Sequence, residues 1–187
     1  MNHNDHVHLL RKGISSSGGT WADLGSGSGA FTLALADLLG PEGQIYSVDK
    51  DRQALNRQER EIRSRFPPTS VTYQIADFTR RLDLPPLDGI VMANSLHFIR
   101  HKDSTLQLIR SYLKPHGRLL IVEYNADRGN MWVPYPFSYG TWERLARQNG
   151  FTSTQLLATV PSSFFGEMYS AMSIQEVEPV QGEKSIK

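Results

Sequence analysis

The sequence predicts an α/β fold in which a doubly wound, mostly parallel sheet is covered by helices on both faces, giving three layers. Short apolar runs of strand length alternate along the chain with segments whose apolar residues recur at helical spacing. Strands separated in this way pair in parallel, and the intervening helices cover both faces of the sheet. The length of 187 residues and the 39% apolar content fit one globular domain.

The first half of the chain predicts three strands and three helices. A short helix over residues 6–12 ends at a glycine–serine run, and a buried strand follows at residues 21–24. Apolar spacing predicts a helix over residues 28–39, which Gly40 and Pro41 stop. A strand over residues 44–48 precedes a helix that Asp51 caps and that Pro67 ends. The third strand is predicted at residues 71–75.

The second half continues the alternation after a proline-rich crossing at residues 82–88. Strands are predicted at residues 89–93 and 118–123, with a helix over 103–113 and a turn at 115–117 between them. A helix over residues 141–148 ends at Gly150, and two strands at 153–160 and 167–174 flank a final loop. Residues 1–175 are therefore predicted to form one domain, with residues 1–19 as an N-terminal helix and linker. The polar tail 176–187 is expected to be frayed.

Composition excludes several classes of function. Twenty basic residues against 19 acidic ones leave no basic excess for nucleic-acid binding. No apolar run approaches the roughly 20 residues of a membrane span, and the N-terminus lacks a signal-peptide core, so a cytoplasmic protein without membrane contact is expected. The absence of cysteine excludes disulfides, zinc–thiolate sites and cysteine nucleophiles.

The glycine-rich turn in WADLGSGSGAF predicts a site that holds a ligand close to the backbone. A parallel sheet binds its ligand at the carboxyl ends of its strands, where this turn lies. Gly25, Gly27 and Ala30 match the dinucleotide spacing G-x-G-x-x-A, while Gly25, Gly27 and Gly29 match G-x-G-x-G. The turn therefore fits NAD and S-adenosylmethionine equally, and a turn without a ligand is the third interpretation.

Acidic residues at three strand ends favour S-adenosylmethionine. Asp49 ends the second strand, where a carboxylate can bind the ribose hydroxyls of either cofactor. Asp23 precedes the glycine turn, where it would repel an anionic pyrophosphate and attract an ammonium or sulfonium. Asp77 follows the third strand and can accept from the adenine amine, while the N–H of Phe78 can donate to a ring nitrogen. The alternative role for Asp77 is a cap on the following turn.

These motifs resemble those of the class I S-adenosylmethionine-dependent methyltransferases, and within them the small-molecule members. WADLGSGSGAFTLALA is similar to the first motif of that family, IYSVDKD to the second, and YQIADFTRRLDLPPLDGIVMANSLHFI to the third and fourth. The resemblance covers roughly residues 19–123. It implies a Rossmann-like, seven-stranded sheet whose last strand is antiparallel, and a methyltransferase that modifies a small molecule.

The resemblance also assigns roles to individual positions. Asp23 and the backbone of the turn would hold the methionine end, Asp49 the ribose, and Asp77 with Phe78 the adenine, while Asn94 would lie near the sulfonium. The full implied cofactor site is Asp23, Gly25, Ser26, Gly27, Gly29, Asp49, Lys50, Asp77, Phe78 and Asn94. Lys50 departs from the family, which often places an apolar residue there to pack on adenine, although the lysine stem can pack similarly.

Two residues are candidates for the proton transfer that some acceptors require. His97 follows the fourth strand, and imidazole is a common general base, so His97 is the first candidate for that role, with a purely structural role as the alternative. Glu123 ends the fifth strand and is the second candidate, or else it only orients Tyr124.

An aromatic segment follows the fifth strand on the ligand side. It predicts a wall or lid for the acceptor, with substrate contacts from Tyr124, Arg128, Trp132 and Tyr135. A flap over the sheet edge or a dimer contact is the alternative.

The N-terminal histidines and the glycine turn each have a second interpretation. His3, His6 and His8 lie near one another, but their helix is predicted to be solvated or to cover the cofactor, so no metal site is expected. An NAD(P)-dependent oxidoreductase and a non-catalytic S-adenosylmethionine-binding protein are the alternative functions. The motifs specify neither the acceptor nor the oligomeric state.

Overall fold

The computed structural model describes residues 1–175, and the predicted frayed tail lies outside the described residues. This part of the chain contains seven strands, β1 (Gly19–Leu24), β2 (Gly43–Asp49), β3 (Ser70–Ile75), β4 (Leu87–Ala93), β5 (Leu113–Tyr124), β6 (Phe151–Ser162) and β7 (Gly166–Gln175). The helices are α1 (His3–Arg11), α2 (Ala30–Leu39), α3 (Arg52–Arg65), α4 (Asp103–Arg110) and α5 (Tyr139–Gln148), with a 3₁₀ turn at Leu96–Phe98.

The strands form one sheet in the order β3-β2-β1-β4-β5-β7-β6. The strands β1 to β5 pair in parallel, whereas β7 pairs antiparallel with both β5 and β6. The expected seven-stranded sheet with an antiparallel last strand is therefore confirmed. The strand order reverses beside β1, which has β2 on one side and β4 on the other, and such a reversal opens a crevice at the carboxyl ends of the strands.

Two apolar clusters cover the two faces of the sheet, because successive side chains of a strand point to opposite faces. In β4, Ile90 belongs to one cluster and Val91 to the other. The first cluster packs against α5 through Trp142, which is fully buried, and the second packs against α1 and α2. The α1 helix is therefore part of the fold, and Leu9 and Leu10 are completely enclosed.

The helix ends follow the polar residues that precede them. Asp51 accepts hydrogen bonds from the N–H groups of Gln53 and Ala54 and caps α3 as predicted. Asn2 forms a capping box with Asp5, so α1 begins at His3 rather than at residue 6. None of the helices in residues 1–175 has the length and apolar character that crossing a bilayer requires.

The predicted turn at residues 115–117 is wrong in its boundaries. The α4 helix ends at Arg110, and β5 begins at Leu113, which pairs with Leu87. The pairing with β4 is irregular between this pair and Arg118, and His116 has φ of +61° there. The turn residues are thus a bulge within a longer strand, and local turn preferences do not distinguish a bulge from a chain reversal.

Candidate active site

The glycine turn between β1 and α2 is held against the end of β2. The N–H groups of Gly25 and Ser26 both donate to the carbonyl of Val48, at 2.8 and 3.1 Å. Gly25 has φ of +77°, and a Cβ added there would lie 2.5 Å from Cβ of Ser95. Gly27 has φ of +53°, but a Cβ there would meet nothing within 4 Å. The first glycine therefore permits packing inside the protein, and the second leaves open space beside the turn.

That open space is a cavity of about 340 Å³ at the carboxyl ends of β1, β2 and β4, which we call the glycine-turn cavity. Its lining consists of Gly25, Gly27, Asp49, Lys50, Phe78, Thr79, Asn94, Ser95, Phe98 and Ile99. Six of these belong to the cofactor site that the sequence predicts. The topology thus brings together residues that follow β1, β2, β3 and β4, as expected where the strand order reverses.

Asp49 ties the glycine turn to the start of α3. Its carboxylate accepts from the N–H of Gly27 at 2.8 Å and from the N–H of Asp51 at 2.8 Å. A carboxylate offers about four lone-pair positions, so two hydrogen bonds leave acceptor capacity toward the cavity. The geometry is consistent with the predicted binding of ribose hydroxyls.

Asp23 lies beneath the glycine turn and does not line the cavity. Its side chain is 1% exposed, and the hydroxyl of Thr32 donates to its carboxyl at 2.6 Å. Burial raises the pKa of Asp23 to about 7, and the negative charge of Asp49 contributes in the same direction. The residue that the sequence assigns to direct contact with a cationic ligand is therefore buried, and its carboxyl is bonded to α2 through Thr32.

Lys50 and Asp77 form an ion pair at the edge of the cavity, with 2.9 Å between Nζ and Oδ2. Partial burial alone would raise the pKa of Asp77, but hydrogen bonds from Lys50 and Thr79 outweigh it and lower the pKa to about 2. Lys50 lines the cavity, as does Phe78, whereas Asp77 does not. The carboxylate that is predicted to bind adenine is thus already engaged by two partners of the protein.

Ser26 and Gly29 belong to the glycine turn and pack against Gln58 of α3. The hydroxyl of Ser47 donates to Oγ of Ser26 at 2.7 Å, and the carboxamide of Gln58 donates to the same oxygen at 3.3 Å. A Cβ on Gly29 would collide with the Gln58 side chain at 2.2 Å. Both residues therefore shape the turn without lining the glycine-turn cavity.

Asn94 carries a buried polar atom with no partner. Its Oδ1 is enclosed and accepts no hydrogen bond from residues 1–175, and its φ is +52°. Buried polar atoms are normally paired, and a non-glycine residue with positive φ costs free energy, so both features mark a functional position. The unsatisfied acceptor at the cavity wall fits a ligand that donates a hydrogen bond there.

His97 and Glu123 form a buried pair that joins the ends of β4 and β5. The Nδ1 atom of His97 lies 2.7 Å from Oε2 of Glu123, and the N–H groups of Leu96 and His97 donate to Oε1. The two side chains are 3% and 0% exposed. Because Nδ1 is held by the carboxylate, the imidazole is oriented with Nε2 free of hydrogen-bond partners among residues 1–175.

A second cavity of about 520 Å³ opens beside this pair, and we call it the aromatic pocket. It is lined by Asn94, His97, Phe98, Tyr124, Trp132, Val133 and Phe164. Burial raises the pKa of Tyr124, and the nearby charge of Glu123 adds to the effect, so its hydroxyl stays protonated at neutral pH. Asn94 and Phe98 line both cavities, which therefore share a wall.

The aromatic segment after β5 contributes unequally to this pocket. Trp132 lines it, and the N–H of Tyr135 donates to the carbonyl of His97 at 3.0 Å. Arg128 is exposed and lines neither cavity, so the structure does not bring it to the site. The Nζ atom of Lys102 donates to the carbonyls of Ile99 and Tyr135 at 2.7 and 3.1 Å, so it joins the aromatic segment to the residues that follow β4.

Several site residues are absent from the sequence-based prediction. They are Thr79, Ser95, Phe98, Ile99, Val133 and Phe164. Phe98 directly follows His97, and Phe164 lies in the SSFFG loop, where two adjacent phenylalanines in a turn are unusual. These adjacent phenylalanines could have indicated a functional loop, but the position of the loop beside Tyr124 depends on the β6–β7 hairpin.

Two further features lie outside this site. A larger cavity of about 770 Å³ lies where β4 and β5 begin, at the opposite ends of these strands, and none of the predicted site residues lines it. Within residues 1–175, no three His, Cys, Asp or Glu side chains are grouped so that they could hold a metal ion. His3 instead lies 3.1 Å from Asp37, and His6 packs on Phe31.

The family model of a methyltransferase domain matches residues 15–167, which include both cavities. The chain belongs to this family. The resemblance to class I S-adenosylmethionine-dependent methyltransferases is thereby confirmed.

Individual relatives agree with this assignment. The chain is 27% identical over 117 residues to the ubiquinone/menaquinone biosynthesis C-methyltransferase UbiE of Pseudomonas aeruginosa, a match that covers 62% of this chain and 45% of that protein. The chain thus spans about half the length of the curated relatives it matches.

Solved structures show the same fold. A SAM-dependent methyltransferase from Aquifex aeolicus superposes with a TM-score of 0.70 at 19% identity, covering 91% of this chain and 89% of that one. The magnesium protoporphyrin IX methyltransferase of Synechocystis, solved with bound SAM, gives a TM-score of 0.69 at 15% identity, covering 93% and 78%.

Proposed function

We propose that the chain binds S-adenosylmethionine in the glycine-turn cavity and methylates a small molecule held in the aromatic pocket. The observation that carries this proposal is the wall that the two cavities share at Asn94 and Phe98. A donor in one cavity and an acceptor in the other would meet at that wall. Holding two reactants in line is the main contribution that a protein makes to such a transfer.

The residues around the glycine-turn cavity fit the cofactor. Asn94 Oδ1 is an enclosed acceptor without a partner, and Asp49 retains acceptor capacity for ribose hydroxyls. Gly27 leaves room for a close approach, and Phe78 with the Lys50 stem provides an apolar surface for a flat ring. When bound, S-adenosylmethionine supplies a methyl group that its sulfonium makes electrophilic.

The His97–Glu123 pair supplies a general base for an acceptor that must lose a proton. Glu123 holds Nδ1 of His97 at 2.7 Å, so the free Nε2 is the atom that takes the proton on the pocket side. The buried carboxylate then stabilises the imidazolium that forms, in the manner of the carboxylate in a hydrolase triad. Glu123 therefore acts through His97 and not on the acceptor itself.

The names of the relatives are consistent with a small-molecule acceptor. The Pseudomonas protein is named for quinone biosynthesis and the Synechocystis protein for a porphyrin. The alternative proposal, an NAD(P)-dependent oxidoreductase, rests on the spacing of Gly25, Gly27 and Ala30 alone.

Calorimetric titration with S-adenosylhomocysteine and with NAD tests the cofactor. We expect S-adenosylhomocysteine to bind and NAD to give no heat. The Asp49→Ala variant should bind about 10- to 100-fold more weakly, because it loses charge-assisted hydrogen bonds. The matched control is Asp37→Ala, which removes an exposed carboxylate of α2 that does not line the cavity, and it should bind as the wild type. Binding of NAD without S-adenosylhomocysteine would reject the proposal.

A further inference from the structure

The aromatic pocket has an unusual wall for a site that binds a polar metabolite. Of its seven lining residues, four carry aromatic rings other than histidine, and none is lysine, arginine, aspartate or glutamate; the set is Asn94, His97, Phe98, Tyr124, Trp132, Val133 and Phe164. A volume of about 520 Å³ accommodates a small organic molecule. The chemistry of the wall thus selects for a flat, largely apolar ligand.

The rings that form the mouth of the pocket are exposed to water. Trp132 is 70% exposed, Phe98 58% and Phe164 39%. Large apolar side chains that cluster at the surface mark sites where a ligand or partner covers them. Their faces are available for stacking, which aromatic ligands exploit and aliphatic ones do not.

The β6–β7 hairpin holds one of these rings, Phe164, in place beside a residue with a strained backbone. Phe165 has φ of +67°, which is rare for a bulky side chain. This conformation sets the rings of Phe164 and Phe165 at 5.9 and 5.5 Å from that of Tyr124. Strain of this kind persists where the arrangement serves a function.

Charge at the pocket disfavours an anionic acceptor. The carboxylate of Glu123 lies directly behind His97, at 2.7 Å from its ring. The buried cation Lys102 is close enough to feel the charge of Glu123, but its Nζ is directed toward the carbonyls of Ile99 and Tyr135 and does not line the pocket. No lysine or arginine therefore stands in the wall to pair with an anionic group of the acceptor.

We infer that the acceptor is a neutral hydroxyaromatic compound of the phenol class, which stacks between Trp132 and Phe164 and directs its hydroxyl at Nε2 of His97. This inference rests on the proposed function and names the substrate class of the same site. His97 takes the hydroxyl proton at Nε2, and the electron pair of the broken O–H bond stays on oxygen. That oxygen would form the new bond to the methyl carbon while the bond from this carbon to the sulfonium sulfur breaks, so that S-adenosylhomocysteine would be the leaving group. The proton then leaves from Nε2 to solvent.

Three matched probes test the acceptor class by fluorine NMR on the full chain with and without S-adenosylhomocysteine. They are 4-fluorophenol, the anionic 4-fluorobenzoate and the non-aromatic 4-fluorocyclohexanol. We expect saturable binding of 4-fluorophenol and affinities at least about tenfold lower for the other two. Tighter or equal binding of 4-fluorobenzoate or 4-fluorocyclohexanol would overturn the inference, as would the absence of 4-fluorophenol binding.

Variants of Trp132 and His97 test which residue stacks on 4-fluorophenol and which residue accepts its hydroxyl proton. Trp132→Leu should weaken 4-fluorophenol binding about fivefold or more, whereas Met131→Ala should leave it unchanged, because Met131 is 86% exposed and does not line the pocket. In the wild type, hydrogen bonding to His97 should move the bound fluorine resonance toward that of the phenolate, and His97→Gln should remove this shift. If the shift persists in His97→Gln, the phenol hydroxyl is hydrogen-bonded to a residue other than His97.

Calorimetry on the same samples separates this inference from the proposed function. Binding of S-adenosylhomocysteine without binding of 4-fluorophenol rejects only the acceptor class. Binding of 4-fluorophenol without binding of S-adenosylhomocysteine rejects the proposed function and keeps the aromatic site.

Discussion

Alanine substitutions at Gly25 and at Gly27 should have different effects, although the two glycines lie two residues apart in one turn. Both have positive φ, so alanine at either position costs about 1–2 kcal/mol of stability in backbone strain. At Gly25 the new Cβ would also lie 2.5 Å from the Ser95 Cβ and 3.2 Å from Phe78. Such overpacking adds about 1–3 kcal/mol, so Gly25→Ala should lose about 2–5 kcal/mol in total.

At Gly27 the new methyl group meets nothing in the protein and projects into the space beside the turn. We therefore expect Gly27→Ala to retain most of its stability and yet to bind S-adenosylhomocysteine at least about tenfold more weakly, since the methyl group would occupy space that a close ligand needs. Urea unfolding gives the free energies, and calorimetry at a temperature where both variants are folded gives the affinities.

Two results would refute this reasoning. Equal losses of stability in the two variants would show that the contact between Gly25 and Ser95 does not constrain packing. Wild-type affinity in Gly27→Ala would show that the ligand does not lie against the open side of the turn.

Three more predictions concern buried polar groups. The folded-state pKa of Asp23, about 7, exceeds its ordinary value of 3.8, so stability is greatest when the carboxyl is protonated and falls as pH rises through 7. Between pH 5 and 8 the wild type should lose about 3 kcal/mol more than Asp23→Asn in urea unfolding. The same dependence of unfolding free energy on pH in both proteins would contradict this prediction. Asn94→Gly should gain up to about 1 kcal/mol of stability, because glycine adopts positive φ without strain, and calorimetry should show weaker S-adenosylhomocysteine binding. Unchanged affinity would show that Oδ1 of Asn94 does not bind the ligand. Lys102→Met should lower the free energy of unfolding by about 1–3 kcal/mol, because it leaves the carbonyls of Ile99 and Tyr135 unpaired. An unchanged free energy of unfolding would show that the Lys102 ammonium does not stabilise this segment.

The sequence predicted the fold well because its elements are encoded locally. Apolar spacing and the residues Gly40, Asp51 and Pro67 fix where helices begin and end, and these signals need no distant partner. The carboxyl ends of parallel strands lie on one edge of a sheet, so the sequence predicts that Asp49 and Asn94 lie at that edge, and both line the glycine-turn cavity. The β5 boundary was wrong because a bulge and a turn use the same residue types.

The site is predicted less completely, since burial and partners depend on packing. The acid at position 23 suggested direct contact with a cation, but the sheet encloses it and Thr32 is its partner. Lys50 and Asp77 were assigned separately to adenine, whereas the structure pairs them with each other. One-dimensional spacing does not show which side of a turn a side chain takes.

Local patterns specify the order of strands and helices, the glycine turn and the polar residues at the strand ends, because periodicity and capping are local properties. Which of these residues act together depends on long-range packing. His97 and Glu123 are 26 positions apart and become a pair because β4 and β5 are neighbours in the sheet. Phe164 reaches the same pocket because β7 inserts between β5 and β6, a long-range pairing that no local pattern specifies.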